Sequence, residues 1–474
     1  MKLRLFIFLV GSLFSLALGA QYSFLTQFNE FSTSKDYLNC GIGAIVTNLE
    51  TGTDIFVHHP EVSMIPGSLL KLVTSGAALE ILGEGYRFRT ILSYTGEITE
   101  NGLLVGDLVI KGGGDPTLGS QYFCPSFLSK WTNVIASKGI VQIEGDLVMD
   151  VSGYENQTVP DTWIWEDIGN YYGAGAGAFS IYDNTLKITL QSGEAGKPTR
   201  IVKTEPEIKG LSFTNFVLSS NKNSDQAYVY GSPWEGTKVI RGTIPKNKNE
   251  FTIKAALPHP ELILGNALKV ELQKIGIQVS GKVLIGKPTR KTTLLYTNKS
   301  VPLGDIVRIL NHESVNLIAE HLVKQVAKET LGFGSTEEGL KIISGHWESK
   351  GIDTRGMFLE DGSGLSHFNA ITPRQFAGIL QYMYTTSPIA DVFEASLAKA
   401  GEGTLYVFSK KDFPGNTLHC KSGSMTRVRC YAGYLETDSG NKLSFVFMVN
   451  NFSGKHLDVI KQIERFLIAL KKEG

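Results

Sequence analysis

Pro66-Gly67-Ser68-Leu69-Leu70-Lys71-Leu72-Val73-Thr74-Ser75-Gly76-Ala77-Ala78-Leu79-Glu80 reads as a helix that opens with a serine and is apolar along most of its length. Pro66 and Gly67 interrupt whatever precedes it, and Leu69, Leu70, Leu72, Val73, Ala77 and Leu79 supply a broad buried face. Ser68 and Lys71 stand three apart, nearly one turn, which puts hydroxyl and amine on the same side. A lysine in apolar surroundings loses hydration, which disfavours its charged form and lets it act as a base. The pair therefore forms a candidate nucleophile and activator, the Ser-Lys variant of serine catalysis. On its own the pattern is also that of a capping serine and a surface lysine.

Two later stretches decide between these readings. Ser314-Val315-Asn316 precedes a helix-like run, and Lys421-Ser422-Gly423, followed by Ser424, sits in a strand-like one. Ser-x-x-Lys, Ser-x-Asn and Lys-Ser/Thr-Gly in this order form the motif set of penicillin-binding proteins and class A β-lactamases. Each motif is common alone; the three in order, each on the expected kind of element, are not.

Further segments narrow the resemblance. They are Lys111-Gly112-Gly113-Gly114-Asp115-Pro116-Thr117-Leu118, residues 163–174 (WIWEDIGNYYGA) and Asp361-Gly362-Ser363-Gly364-Leu365-Ser366. From about residue 40 to near the C-terminus the chain resembles the D-alanyl-D-alanine carboxypeptidase/endopeptidase family, the low-molecular-mass class C penicillin-binding proteins. Two positions depart from the family pattern. Ser422 stands where threonine is usual and keeps the hydroxyl; Val315 stands where aspartate is usual and removes a carboxylate.

Charge balance and the N-terminal pattern point to an exported chain without a polyanionic partner. The 474 residues carry 46 Lys+Arg and 46 Asp+Glu, so net charge is near zero and no basic block suggests a nucleic-acid partner. Lys2 and Arg4, the apolar run from Leu5 to Leu18 and Gly19-Ala20-Gln21 read as a secretory signal over residues 1–20, cleaved after Ala20. That run is short for a bilayer span, and Gln21 is not the cysteine of a lipid anchor. The expected location is the bacterial periplasm, with no transmembrane segment after signal removal. Cys40, Cys124, Cys420 and Cys430 allow three pairings, and buried free thiols are an equal alternative. No cysteine spacing fits zinc, and no cofactor or metal is implied.

Taken in order, residues 41–57 read as a hairpin ahead of the Ser68 helix. Gly112 to Asp115 reads as a tight turn with a structural aspartate, because the Gly-Lys-Ser/Thr ending of a phosphate loop is missing. Residues 180–257 are polar and strand-rich, an accessory β-region. A single helix is expected over Ile306 to Leu331, others over Glu337 to Ser349 and from Thr372, and a terminal helix over His456 to Leu470. Ser68 and Ser314 must face one cleft, so the intervening segment is an insertion. The expected fold is α+β: a transpeptidase/β-lactamase-like domain (21–90 and 296–474), split by an inserted domain (91–179 and 258–295) that holds a third (180–257).

In the chemistry expected, Ser68 attacks the D-Ala-D-Ala carbonyl and neutral Lys71 takes its proton. Ser314 relays that proton to the departing amine, and Asn316 orients Lys71 and the substrate amide. Lys421 and Ser422 meet the terminal carboxylate. By resemblance, the N–H groups of Ser68 and Ser424 form the oxyanion hole. The resemblance also implies peptidoglycan peptides as substrate, action on stems and cross-links, and β-lactams as covalent inhibitors. Trp163 and Trp165 are expected in the core and Asp361 to Gly364 in a structural turn. The alternatives are a β-lactamase, for which no deacylating carboxylate is evident, and a non-catalytic binder of peptidoglycan or β-lactam.

Overall fold

The computed structural model describes residues 23–123 and 126–474. The expected signal over 1–20, and Cys124, lie outside them. The architecture is α+β. Its organising layer is a six-stranded antiparallel sheet in the order Ala398–Lys399, Leu418–Met425, Val428–Glu436, Lys442–Asn450, Gly41–Asn48, Asp54–His58. The N-terminal hairpin thus adds to the C-terminal strands, with Gly41 opposite Asn450 and Asn48 opposite Leu443.

The central strands of this sheet are buried on both faces, which explains the nearly continuous apolar run of Lys442–Asn450. Side chains alternate across a strand. On Val428–Glu436, Val428, Cys430, Ala432 and Tyr434 join the core around the Ser68 helix, while Tyr431 and Leu435 join the opposite one. There Phe28 and Phe31 of helix Ser23–Thr33 and Ile463, Phe466 and Leu467 of helix His456–Glu473 close the layer. The same alternation separates the cysteines. Cys420 pairs with Gly433 and Cys430 with Gly423, on opposite faces, so the register forbids a bridge between them. Cys40, Cys420 and Cys430 are free thiols.

The α-helix of the opening stretch runs Leu70–Leu82, with every residue from Leu70 to Leu79 buried. A helix apolar all round belongs inside a larger core. It lies among helices Leu303–Glu313, Asn316–Leu331 and Thr336–Ser349, and Trp347 Nε1 donates to the Val73 carbonyl at 3.1 Å. The single helix expected over Ile306 to Leu331 is two. Ser314 takes left-handed dihedrals (φ 60°, ψ 42°) and ends the first, and the second starts at Asn316. Apolar periodicity continues through the break, so only the backbone turn reveals it.

Helix Pro373–Thr385 starts as its sequence predicts. Thr372 Oγ1 accepts from Gln375 N and Gln375 Oε1 accepts from Thr372 N, a capping box with proline at the first helical position. Thr372→Ala is expected to lower stability by about 1 kcal/mol, read from the denaturant midpoint.

Beyond this layer the chain leaves and returns through one antiparallel pair, Arg89–Thr95 with Thr292–Lys299, in which Arg89 faces Lys299. The pair belongs to a five-stranded sheet with Leu108–Lys111, Leu147–Asp150 and Val283–Ile285. A second core, drawn from Leu92 to Leu295, packs this sheet and two three-stranded sheets within residues 185–256. Among the described residues, no helix is long and apolar enough to cross a membrane.

Candidate active site

Ser68 lies in a 3-10 turn, Gly67–Leu69, and the α-helix begins at Leu70. Three glycines let this turn meet two other segments closely. A Cβ on Gly423 would stand 2.3 Å from the Pro66 carbonyl oxygen, so the strand Leu418–Met425 lies directly against the turn. Gly67 has φ +51° and Gly364 φ +82°, and a Cβ on Gly364 would stand 1.9 Å from the Gly67 carbonyl oxygen. Gly364→Ala combines strained dihedrals with a backbone clash. It is expected to destabilise by about 1–3 kcal/mol and to slow reaction at the displaced Ser68 at least about tenfold, measured as β-lactam acylation rate.

Lys71 is wholly buried one turn along. In its ammonium form its three protons go to Ser68 Oγ at 2.8 Å, Asn316 Oδ1 at 2.6 Å and the Ser363 carbonyl at 2.7 Å. Burial pulls its pKa down from 10.5 to about 7, against the opposing pull of Asp361 and Glu320. A neutral amine can instead accept the Ser68 hydroxyl proton across the same 2.8 Å. Asn316 Nδ2 donates to the Tyr172 carbonyl at 2.8 Å, which fixes the amide with its oxygen toward Lys71.

The left-handed break brings in the other lysine. Lys421 Nζ donates to Ser314 Oγ at 2.9 Å and to the Ser422 carbonyl at 2.7 Å. Lys421 is also wholly buried; its pKa lies well below the ordinary lysine value, through burial first and the nearby Lys71 second. Ser422 is buried beside it, and Ser424 is exposed at the strand's end. Ser68, Lys71 and Asn316 thus form one bonded group, and Ser314, Lys421 and Ser422 a second along the same cleft. The cleft, of about 670 Å³, is lined among others by Ser68, Ser314, Ser422 and Ser424.

The role of Glu320, and the contacts that the Asp361 turn makes with the catalytic group, escaped the sequence reading. Asp361 is wholly buried, and its two oxygens accept from Gly364 N (2.7 Å), Asn369 Nδ2 (2.9 Å), Trp163 Nε1 (2.7 Å) and Ser366 N (2.6 Å). The Asp361 segment is a turn, but it also presents the Ser363 carbonyl to Lys71 and the glycine to the Ser68 turn. Glu320, one turn after Asn316, accepts from Gly362 N, and burial together with Asp361 raises its pKa. Its four-residue spacing from Asn316 was the available signal. Trp163 is core, as expected, with its indole nitrogen committed to Asp361. Trp165 is not core; it is 60 % exposed because its four-residue helix, Trp165–Ile168, lies at the surface.

Comparison with known proteins bears on this geometry. The D-Ala-D-Ala carboxypeptidase 3 (S13) family matches residues 26–470. The chain belongs to this family. Its enzyme class is that of a serine-type D-Ala-D-Ala carboxypeptidase. A D-alanyl-D-alanine carboxypeptidase of Actinomadura sp. (strain R39) is 27 % identical over 428 residues, 87 % of this chain and 78 % of the relative. D-alanyl-D-alanine carboxypeptidase DacB of Haemophilus influenzae is 25 % identical over 428 residues, 88 % and 87 % of the two chains. The crystal structure of penicillin binding protein 4 from Haemophilus influenzae superposes with a TM-score of 0.79 at 25 % identity, covering 91 % of this chain and 97 % of that one. The α+β architecture is thus the serine transpeptidase/β-lactamase-like fold, as the motifs predict.

Proposed function

We propose that the chain cleaves the terminal D-Ala–D-Ala bond of peptidoglycan stem peptides, and D,D-cross-links, through an acyl-enzyme on Ser68 that penicillin also forms. The observation that carries this is the wholly buried Lys71 amine, 2.8 Å from Ser68 Oγ and titrating near 7.

Ser68 Oγ attacks the penultimate residue's carbonyl carbon while Lys71 Nζ takes the hydroxyl proton. The developing oxyanion is met by the N–H groups of Ser68 and Ser424. Asn316 holds Lys71 and offers its amide to the substrate. The proton that Lys71 took is relayed through Ser314, hydrogen-bonded to Lys421, to the departing amine, so D-alanine leaves neutral at nitrogen and Lys71 is again an unprotonated base. Lys421, Ser422 and the close-packed Gly423 shape the strand along which the peptide lies. Water then attacks the ester as Lys71 takes one of its protons, Lys71 returns that proton to Ser68 Oγ as the ester C–O bond breaks, and the acid product leaves.

Export fits this role, with residues 1–20 as the signal and the periplasm as destination. The division of labour is a catalytic domain of residues 21–90 and 296–474, an inserted domain of 91–179 and 258–295, and an accessory one of 180–257. The antiparallel exit and return at Arg89 and Lys299 supports the first boundary. Tyr172, from the insertion, reaches the catalytic group through its carbonyl.

Labelling of the purified protein with a fluorescent penicillin tests the proposal. A stable covalent label that Ser68→Ala abolishes is the expected result. Rapid penicillin turnover without stable label would instead identify a β-lactamase. Neither label nor turnover would leave a non-catalytic binder.

A further inference from the structure

The three-stranded sheet of Arg200–Glu205, Thr185–Gln191 and Phe251–Ala256 sets Glu205, Lys187 and Lys254 side by side across its strands. Like charges directly opposite one another destabilise a sheet. Glu205 does not offset the two lysines. It binds Lys203 at 3.3 Å, and among the described residues neither Lys187 nor Lys254 makes an ion pair. Both are exposed, and two unpaired cations held face to face suit an anion between them.

The lysines line a cavity of about 460 Å³, whose wall includes Gln121, Tyr182, Asp183 and Pro206. Part of that wall is strained. Tyr182, Asp183 and Asn184 are three consecutive non-glycine residues in left-handed dihedrals, with φ of 55°, 56° and 45°. Such backbone persists only where its surroundings over-determine it, and it clusters at ligand sites. Here Asn184 pins it: its Oδ1 accepts from Ile181 N at 3.0 Å and its Nδ2 donates to the Gly175 carbonyl at 2.9 Å. Asp183, the other acid of the wall, accepts from Gln121 N at 3.1 Å. The cavity is therefore preorganised.

It adjoins the catalytic cleft. Lys254 Nζ lies over the Tyr171 ring, 5.5 Å from its centre, and that ring packs edge-on against Tyr172, whose carbonyl holds Asn316. Tyr122 joins the two spaces: Asp183 of the cavity and Glu313 of the cleft both lie near its phenol, which burial foremost pushes up to about 12. Cleft and cavity share no lining residue, so only a substrate that runs past Tyr171 occupies both.

We propose that Lys187 and Lys254 bind a carboxylate of the peptidoglycan peptide remote from the scissile bond, so that the protein favours long or cross-linked stems over a bare D-Ala-D-Ala terminus. This rests on the peptidase reading above. Such a carboxylate has two sources, the stem being cut and the stem cross-linked to it.

The test compares kcat/KM for three substrates: an acyl-D-Ala-D-Ala peptide whose sole carboxylate is the terminal one, a pentapeptide stem, and a D,D-cross-linked muropeptide dimer. The wild type is expected to prefer the long substrates. Lys187→Met and Lys254→Met should each cut that preference about 2- to 5-fold and the double variant about 5- to 25-fold, the range of exposed charge pairs. Turnover of the short peptide and acylation by penicillin should stay unchanged, which also shows that the variants are folded. Lys254→Arg should keep the preference, since it keeps the charge, and high salt should weaken it in the wild type. Loss on the dimer alone assigns the partner stem; loss on the pentapeptide as well assigns the stem being cut. A preference that is absent from the wild type, or that survives the double variant, overturns the proposal. An equal fall on all three substrates also overturns it, because the lysines would then support the fold. A wild type inert toward all three and toward penicillin overturns the peptidase reading instead, and this inference with it.

Discussion

Lys71→Ala is expected to lower the rate of Ser68 acylation by about 10²–10⁴-fold, the contribution of a well-placed general base. Lys71→Arg makes the sharper comparison. It keeps a positive charge near Asn316 Oδ1 and the Ser363 carbonyl, but a guanidinium does not release a proton near neutrality. Both variants should be slow if deprotonation matters; recovery in the arginine variant would mean that Lys71 acts only as a charge. The double variant Ser68→Ala/Lys71→Ala should be no worse than Ser68→Ala alone, because the two act as one unit.

The pH dependence has a definite sign. Burial holds the Lys71 pKa at about 7, below its ordinary 10.5. Below 7 the ammonium donates to Ser68 and has no lone pair to offer; above 7 the amine is free to take the proton. Acylation should therefore rise with pH through about 7 and fall about tenfold per unit below it. The apparent value belongs to the group of Lys71, Lys421 and Glu320 rather than to one residue. A stopped-flow profile of β-lactam acylation from pH 5 to 9 measures it, and a flat profile would remove the neutral-lysine mechanism.

Asp361→Ala is expected to have the largest effect on stability, about 3–5 kcal/mol. Four donors converge on this carboxylate from the Trp163 indole, the Asn369 amide and the backbone of Gly364 and Ser366. Removing it strands the Trp163, Gly364 and Ser366 N–H groups where water does not reach and leaves the Asn369 amide only the Ser366 carbonyl; each buried donor without a partner costs about 1–3 kcal/mol before relaxation. Denaturant unfolding followed by tryptophan fluorescence reads the loss directly. Asp361→Asn keeps the shape but offers one acceptor oxygen in place of two, so it should fall between wild type and alanine. An alanine variant of wild-type stability would mean that the loop is held by its glycine contacts alone.

Much of the site was legible as pattern. Ser68 with Lys71, Ser314 with Asn316, and Lys421-Ser422-Gly423 are short-range spacings, and spacing on a helix or strand places side chains on a common side without reference to the rest of the chain. The capping box at Thr372 and Pro373 is local in the same way. The helix break at Ser314 was not, because a serine in left-handed dihedrals leaves no mark on apolar periodicity. Trp165 was misjudged for a related reason: size and hydrophobicity do not tell which short helix lies at a surface.

The sequence by itself determined the order of the motifs and the elements that carry them, and with that the family and its reaction. Only the tertiary structure decided the protonation of Lys71, which depends on burial by residues more than two hundred positions away, such as Asn316 and Ser363. It alone made Asp361 a hub, by bringing the Trp163 indole and the Asn369 amide to one carboxylate. Solvent exclusion and charge pairing depend on what the fold brings together across the chain, so no local spacing encodes them.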